Sequence, residues 1–349
     1  MKTGLALGVS LSFLVCALVG CEPAPPTSPT APVQGTGAVA EKPAGKKKLR
    51  IAVIPKGEAH EFWKSVRAGA LQKGKELSTD DVEIEVTFKG PSEENNIAEQ
   101  ASVVENFIAD HYDGICLAPT DAVALRKPVD AAIAEKIPVV IFDSGLKDLK
   151  GVVSFVATDN YQGGQKGAEL LAKAMGDQGN VILLRYMRGS ASTDAREEGF
   201  LDEIKKHPNI KVLVDNKEAG ASESGAKELS ENLLQDYKDK VNGIFCSNQS
   251  TTSGMLTALI QSFPEVLKNV KFVGFDSGTN IADALENGQM EAAVLQDPVT
   301  MGGLTVETMV HHLQGKKVKD NIPVAGAEAR QDNLKSPEIQ QLLRPVQAK

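Results

Sequence analysis

The tetrapeptide Phe-Asp-Ser-Gly occurs twice, at 142–145 and 275–278, each time closing a short apolar run. One amphipathic stretch before each copy stands a matching segment, Asp113-Gly114-Ile115 in the first case and Asn242-Gly243-Ile244 in the second. Such a recurrence marks a duplicated unit. It restricts the chain to folds in which two similar halves each place an aspartate directly after a strand. The surrounding periodicity predicts strands over 49–54, 82–88, 114–117, 139–142 and 152–156, with helices over 62–77, 97–110 and 123–135. A second series follows: helix 161–175, strand 181–184, helix 196–206, strand 210–214, helix 222–237, strand 243–246, helix 252–261 and strand 270–275. Short β-branched runs alternating with amphipathic ones mean parallel sheets with right-handed crossovers. The expected class is α/β, with two similar doubly wound parallel-sheet domains. A length of 349 residues fits this, because single cores stop growing near roughly 250–300 residues.

Charge removes several functions. Forty-six acidic side chains against 38 basic ones leave a formal charge of -8, so no basic surface awaits nucleic acid or anionic lipid. The first 48 residues have a different character from the rest. Lys2 precedes an apolar run from Leu5 to Val19, too short to span a hydrocarbon core of ~30 Å comfortably, and it reads as a signal sequence over residues 1–20. Leu18-Val19-Gly20-Cys21 resembles the bacterial lipobox, which implies lipidation of Cys21 and attachment to a membrane of the cell envelope. Residues 22–48 hold six of the 17 prolines, no aromatic residue, and end in three lysines. They read as a tether with a reach of about 30 Å. Gly35-Thr36-Gly37 within it matches a dinucleotide fingerprint by letters only, since no strand precedes it and no helix follows.

With the signal removed and Cys21 acylated, Cys116 and Cys246 remain, each inside an apolar strand-like run. Two buried free thiols are the simplest reading; a disulfide or a metal pair is the alternative. None of the five histidines forms a two-histidine helical pattern, so neither a metal site nor a cofactor is expected.

In open parallel sheets, ligands gather at the carboxyl ends of strands. Asp143 and Asp276 both occupy such an end, and two facing halves would bring their carboxylates onto one ligand. A helix cap or turn role is the alternative for each. Taken with His60-Glu61-Phe62-Trp63, Ala157-Thr158-Asp159-Asn160, Ala195-Arg196-Glu197-Glu198-Gly199-Phe200, Phe245-Cys246-Ser247-Asn248 and Val294-Leu295-Gln296, the order and spacing resemble the type I periplasmic binding proteins. The likeness is to the ribose-binding branch that feeds ABC importers, and it covers residues 49–349.

That resemblance implies a three-crossing hinge near Thr158, Gln296 and Ala325. One lobe would be 49–158 plus 297–325 and the other 159–296 plus 326–349. It also implies that Phe62 and Trp63 wall the pocket against a sugar face, their alternative being a core-facing start to the first helix. Asp143 and Asp276 would accept from hydroxyls, Arg196 would donate, and Asn248 and Gln296 would do both. The alternative for Arg196 is a surface ion pair, and for the two amides turn or backbone contacts. His60 either donates to a hydroxyl or lies on the rim. The branch generally carries Asn at the position of His60, Arg at that of Ser144 and an aromatic at that of Ala221, so the cavity is expected to be larger and poorer in donors, and ribose is not the expected ligand. The implied partners are a small sugar or polyol and an importer permease, with the membrane reached through lipid only and the protein a monomer. Two carboxylates facing a sugar could also serve a glycosidase, but no nucleophile elbow or phosphate loop accompanies them. A third class is a ligand-sensing protein that serves a membrane receptor.

Overall fold

The computed structural model describes residues 46–347; the signal run and Cys21 lie outside them. The first half is built from β1 (Lys47–Ile54), α1 (Glu61–Leu77), β2 (Val82–Phe88), α2 (Ile97–Ala109), β3 (Gly114–Leu117), α3 (Arg126–Ala134), β4 (Val139–Phe142) and β5 (Ser154–Ala157). The second continues through α4 (Asn160–Ala174), β6 (Gly179–Arg185), α5 (Ala191–Ile204), β7 (Ile210–Glu218), α6 (Glu223–Tyr237), β8 (Gly243–Cys246), α7 (Gln249–Gln261), α8 (Pro264–Leu267), β9 (Lys271–Phe275), α9 (Thr279–Glu286) and β10 (Ala292–Leu295). The chain ends with α10 (Pro298–Leu313), β11 (Asn321–Pro323), β12 (Ala327–Arg330) and α11 (Pro337–Leu343).

Two six-stranded sheets result, ordered β11-β5-β4-β3-β1-β2 and β12-β10-β9-β8-β6-β7. They have the same order of equivalent strands, in keeping with the duplicated unit that the repeated tetrapeptide marks. Every pair is parallel except β12, which lies antiparallel to β10 on the edge of the second sheet. Strands β3, β4, β8 and β10 are buried along their whole length, because helices cover both faces of a parallel sheet. The chain passes between the sheets at Thr158–Asp159, Gln296–Asp297 and Val324–Gly326. Asp159 and Asp297, each at a crossing, cap the next helix by accepting from Gln162 N (3.0 Å) and Thr300 N (2.9 Å).

Some boundaries differ from those the sequence predicts, for local reasons. Helices α5 and α7 start at Ala191 and Gln249, earlier than expected, because their first turns are rich in Ser and Thr and look like loops. Strand β7 runs on to Glu218 through an exposed, polar end without apolar alternation. Strand β1 begins at Lys47, inside the expected tether, by pairing with Val82 of β2.

Helices α1 and α10 approach closely, as do α4 and α5, and glycines permit both contacts. A Cβ on Gly69 would lie 1.9 Å from the Val299 carbonyl oxygen, and one on Gly164 would lie 1.9 Å from that of Arg196. Gly164→Ala must therefore push α5 away and should destabilise the protein by about 1–3 kcal/mol. Gly303, inside α10, has nothing nearer than 3.7 Å to such a Cβ, so Gly303→Ala should be neutral or stabilising by up to about 1 kcal/mol. Urea unfolding of the two variants checks the contrast; equal effects would refute it.

Candidate functional site

The carboxyl edges of the two sheets face each other across a closed cleft, which contains a small cavity of about 30 Å³. All eight residues singled out from the sequence line it: His60, Phe62, Trp63, Asp143, Arg196, Asn248, Asp276 and Gln296. Asp143 follows the fully buried β4 and Asp276 follows β9, buried from Phe272 onward, and both adopt a left-handed backbone, φ 59° and 69°. Non-glycine residues seldom take that conformation, Asp and Asn more readily than others. Its recurrence at both copies of Phe-Asp-Ser-Gly shows that the duplicated turn is the same turn.

Each half brings its own cation to its aspartate. In the second, Arg196 Nη1 lies 3.6 Å from Asp276 Oδ2, while its Nε donates to Asn160 Oδ1 (2.8 Å) and Nη1 donates to the Ser247 carbonyl (3.1 Å). The guanidinium sits 3.8 Å above the Phe275 ring, a cation–π contact. Arg196 is 2% exposed, so a surface ion pair is ruled out. Asp276 also accepts from Gln249 N (2.9 Å) and Gln296 Nε2 (2.7 Å). Burial pushes its carboxyl above the usual range, with Arg196 and Gln296 opposing.

In the first half the cation is Lys56, which the sequence reading missed. Its Nζ lies 3.3 Å from Asp143 Oδ2 and donates to Ser190 Oγ (3.0 Å) and Ser192 Oγ (2.9 Å). The expected shortage of donors near Ser144 is thereby corrected: Lys56 supplies a charge there, and Ser144 instead accepts from Ser192 N (3.1 Å). Ala221 lies outside this cavity's lining, on a neighbouring one.

Phe62 and Trp63 are both wall and core. Their rings meet edge to face at 4.9 Å, and Trp63 meets Phe142 likewise at 6.3 Å, so the apolar surface offered to a ligand is held from behind. The indole N–H of Trp63 donates to Glu94, a second missed residue. Glu94 also pairs with His60 Nδ1 (2.7 Å) and accepts from the Tyr186 hydroxyl of the other half. Burial alone would raise the Glu94 carboxyl, but the charge and hydrogen bond of His60, with Lys56 and Tyr186, hold it at about 2. His60 moves upward: burial opposes its charge and Glu94 outweighs burial.

Asn248 caps α7, its Oδ1 accepting from Thr251 N (3.2 Å) and Oγ1 (2.7 Å) and its Nδ2 donating to Ser250 Oγ (3.1 Å). Its turn role is thus real alongside its place on the wall. Gln296 Oε1 is buried without a partner. Ser192, Thr193 and Gln249 complete the lining, and the Phe62 N–H donates across the cleft to Gln249 Oε1 (3.1 Å).

Cys116 and Cys246 are free and buried, and burial raises both thiols. Among the described residues no helix is long and apolar enough to cross a membrane, and no cluster of metal-binding side chains occurs.

Two matched parallel sheets, three crossings and a polar cavity walled by aromatics define a class, and the family comparison agrees. Residues 51–317 match the periplasmic binding protein domain, and the chain belongs to that family, in its sugar-binding, ABC-importer branch. The ribose import binding protein of Haemophilus influenzae is 31% identical over 264 residues, covering 75% of this chain and 85% of that protein. The D-allose-binding periplasmic protein of Escherichia coli is 30% identical over 274 residues, covering 76% and 85%. An ABC transporter solute binding protein from Agrobacterium vitis with bound D-fucose superposes with a TM-score of 0.80 at 30% identity, over 84% of this chain and all (100%) of that one. A carbohydrate transporter solute binding protein from Agrobacterium radiobacter in complex with D-arabinose gives 0.79 at 32% identity, over 85% and 99%.

Proposed function

We propose that this chain captures a neutral monosaccharide or related polyol between lobes 49–158 plus 297–325 and 159–296 plus 326–349, and delivers it to an ABC importer permease. In this reading it is an exported monomer anchored by lipid on Cys21. The observation that carries the ligand class is the balance of the cavity. Lys56, His60 and Arg196 face Glu94, Asp143 and Asp276, leaving no net charge for an ionic ligand to neutralise, while Phe62 and Trp63 offer apolar faces. Hydroxyls both donate and accept, so they suit such paired groups, and Gln296 Oε1 is an acceptor in want of a donor. The bonds from Phe62 to Gln249 and from Tyr186 to Glu94 exist only with the cleft closed. A ligand that bridges the halves would favour that state.

A thermal-shift screen of pentoses, hexoses, deoxysugars and cyclitols tests the proposal. At a hundredfold excess over Kd, a ligand should stabilise the protein by about 2.7 kcal/mol, a shift of several degrees. Stabilisation by none of them, or turnover of a bound sugar, would overturn it.

A further inference from the structure

Glu94, in the β2–α2 loop, is buried in the wall of the cavity where the two halves meet. Its Oε1 takes the indole N–H of Trp63 and, at 2.7 Å, Nδ1 of His60. Its Oε2 takes the Tyr186 hydroxyl from the second half. A single carboxylate therefore aims three of the side chains that line the cavity. The carboxylate is itself held in place by the chain at Gly57, where a Cβ would lie 2.9 Å from Glu94 Cγ.

This arrangement fixes which atom of the histidine titrates. An ionised carboxylate only accepts, so Nδ1 carries a hydrogen and the second proton is gained or lost at Nε2. Protonated, Nε2 is a donor; neutral, it is a bare acceptor. Among the described residues the side-chain partner of His60 is Glu94, through Nδ1, which leaves Nε2 to what occupies the cavity. Burial opposes a charge on the ring, and Glu94, Glu223 at the start of α6 and Asp276 after β9 outweigh it. The other charges lining the main cavity or the neighbouring one with His60 are met elsewhere: Lys56 and Arg196 pair with Asp143 and Asp276, Glu61 accepts from Thr279, and Lys64 and Glu93 offset each other in sign.

We propose that Glu94 is a positioning residue that holds His60 as a charged donor to the bound sugar, so that binding is linked to a proton and weakens when the imidazole loses it. This rests on the reading of the cavity as a sugar site. Calorimetric titration from pH 6 to 9.5 with each pentose, hexose, deoxysugar and cyclitol of the thermal-shift panel tests it. The wild type is compared with Glu94→Gln, which keeps an acceptor for Trp63 and Tyr186 and removes the charge, and with His60→Asn, whose amide donates at every pH. Unfolding midpoints establish that each variant is folded across the range.

The donor is present below the folded value of the imidazole and lost above it. In the wild type, affinity for the sugars that bind should therefore hold at the lower end of the range and fall by about tenfold or more at the upper end. Glu94→Gln should move that fall down by about one pH unit or more, and His60→Asn should bind with an affinity that does not follow pH. A packing role for Glu94 would instead weaken binding by the same factor at every pH and leave the midpoint where it was. A flat wild-type profile, an unmoved midpoint in Glu94→Gln or a fall that persists in His60→Asn would overturn the inference and leave the sugar reading standing. Binding of no sugar at any pH would remove the sugar reading and this inference with it.

Discussion

Replacing Arg196 with alanine should abolish ligand-induced stabilisation and lower the stability of the ligand-free protein by about 3–5 kcal/mol, the range for breaking a buried ion pair from one side. From the sequence alone, Arg196→Ala and Asp276→Ala are both expected to spare the fold. The structure changes that expectation for Arg196, whose guanidinium joins Asn160, the Ser247 carbonyl, the Phe275 ring and Asp276. With the arginine gone, Asp276 keeps only the amide donors of Gln249 and Gln296. Burial already raises its carboxyl, so it should take up a proton more readily, and the deficit should be smaller in mild acid than at neutral pH. Denaturant unfolding at both pH values, with and without ligand, reads both parts. A wild-type ligand-induced shift in the variant would remove Arg196 from the site.

The second large effect concerns Glu94 and the pH range over which the cleft is held together. Its carboxyl is held at about 2 against an ordinary value of 4.5, equivalent to about 3 kcal/mol of stabilisation. A depressed acid contributes fully above its unfolded value, so this contribution should fade as pH falls from about 4.5 toward 2. His60 is raised above 6.5. The same pair therefore weakens again as pH rises through the folded value of the imidazole. Stability of the wild type should peak between these limits. Glu94→Gln should flatten the profile and lose most at the peak, because the charge partner of His60 is removed while Trp63 and Tyr186 keep an acceptor. Thermal unfolding from pH 3 to 9 checks it, and an unaltered profile in the variant would refute the assignment.

How far the site was legible depended on which residues announced themselves. Asp143 and Asp276 are legible because each ends an apolar strand, whereas Phe62 and Trp63, the latter the only tryptophan, are placed in the pocket by the family resemblance. Lys56 and Tyr186 also follow sheet strands, β1 and β6, and the rule applied to the aspartates would have found them. A lysine between Pro55 and Gly57 instead reads as a solvated turn. Glu94 carried no such mark. It stands in an acidic loop, and only the fold brings it under Trp63, beside His60 and opposite Tyr186. The fold was more readable than the site wherever apolar alternation was strong. It was least readable at the polar first turns of α5 and α7 and in the segments after Phe275, where α9, β10 and α10 went unassigned.

The left-handed backbone at Asp143 and Asp276 governs how this cleft can be redesigned. Alanine at either position would forfeit the carboxylate and also add backbone strain of about 1 kcal/mol, so a loss of affinity could not be credited to the lost acceptor. Asparagine keeps the shape and tolerates the turn, and glycine removes the side chain without strain. Any library meant to retune specificity should therefore hold both sites to Asp, Asn and Gly, and place its diversity at Ala221, which stands outside the Lys56–Asp143 and His60–Glu94 pairs.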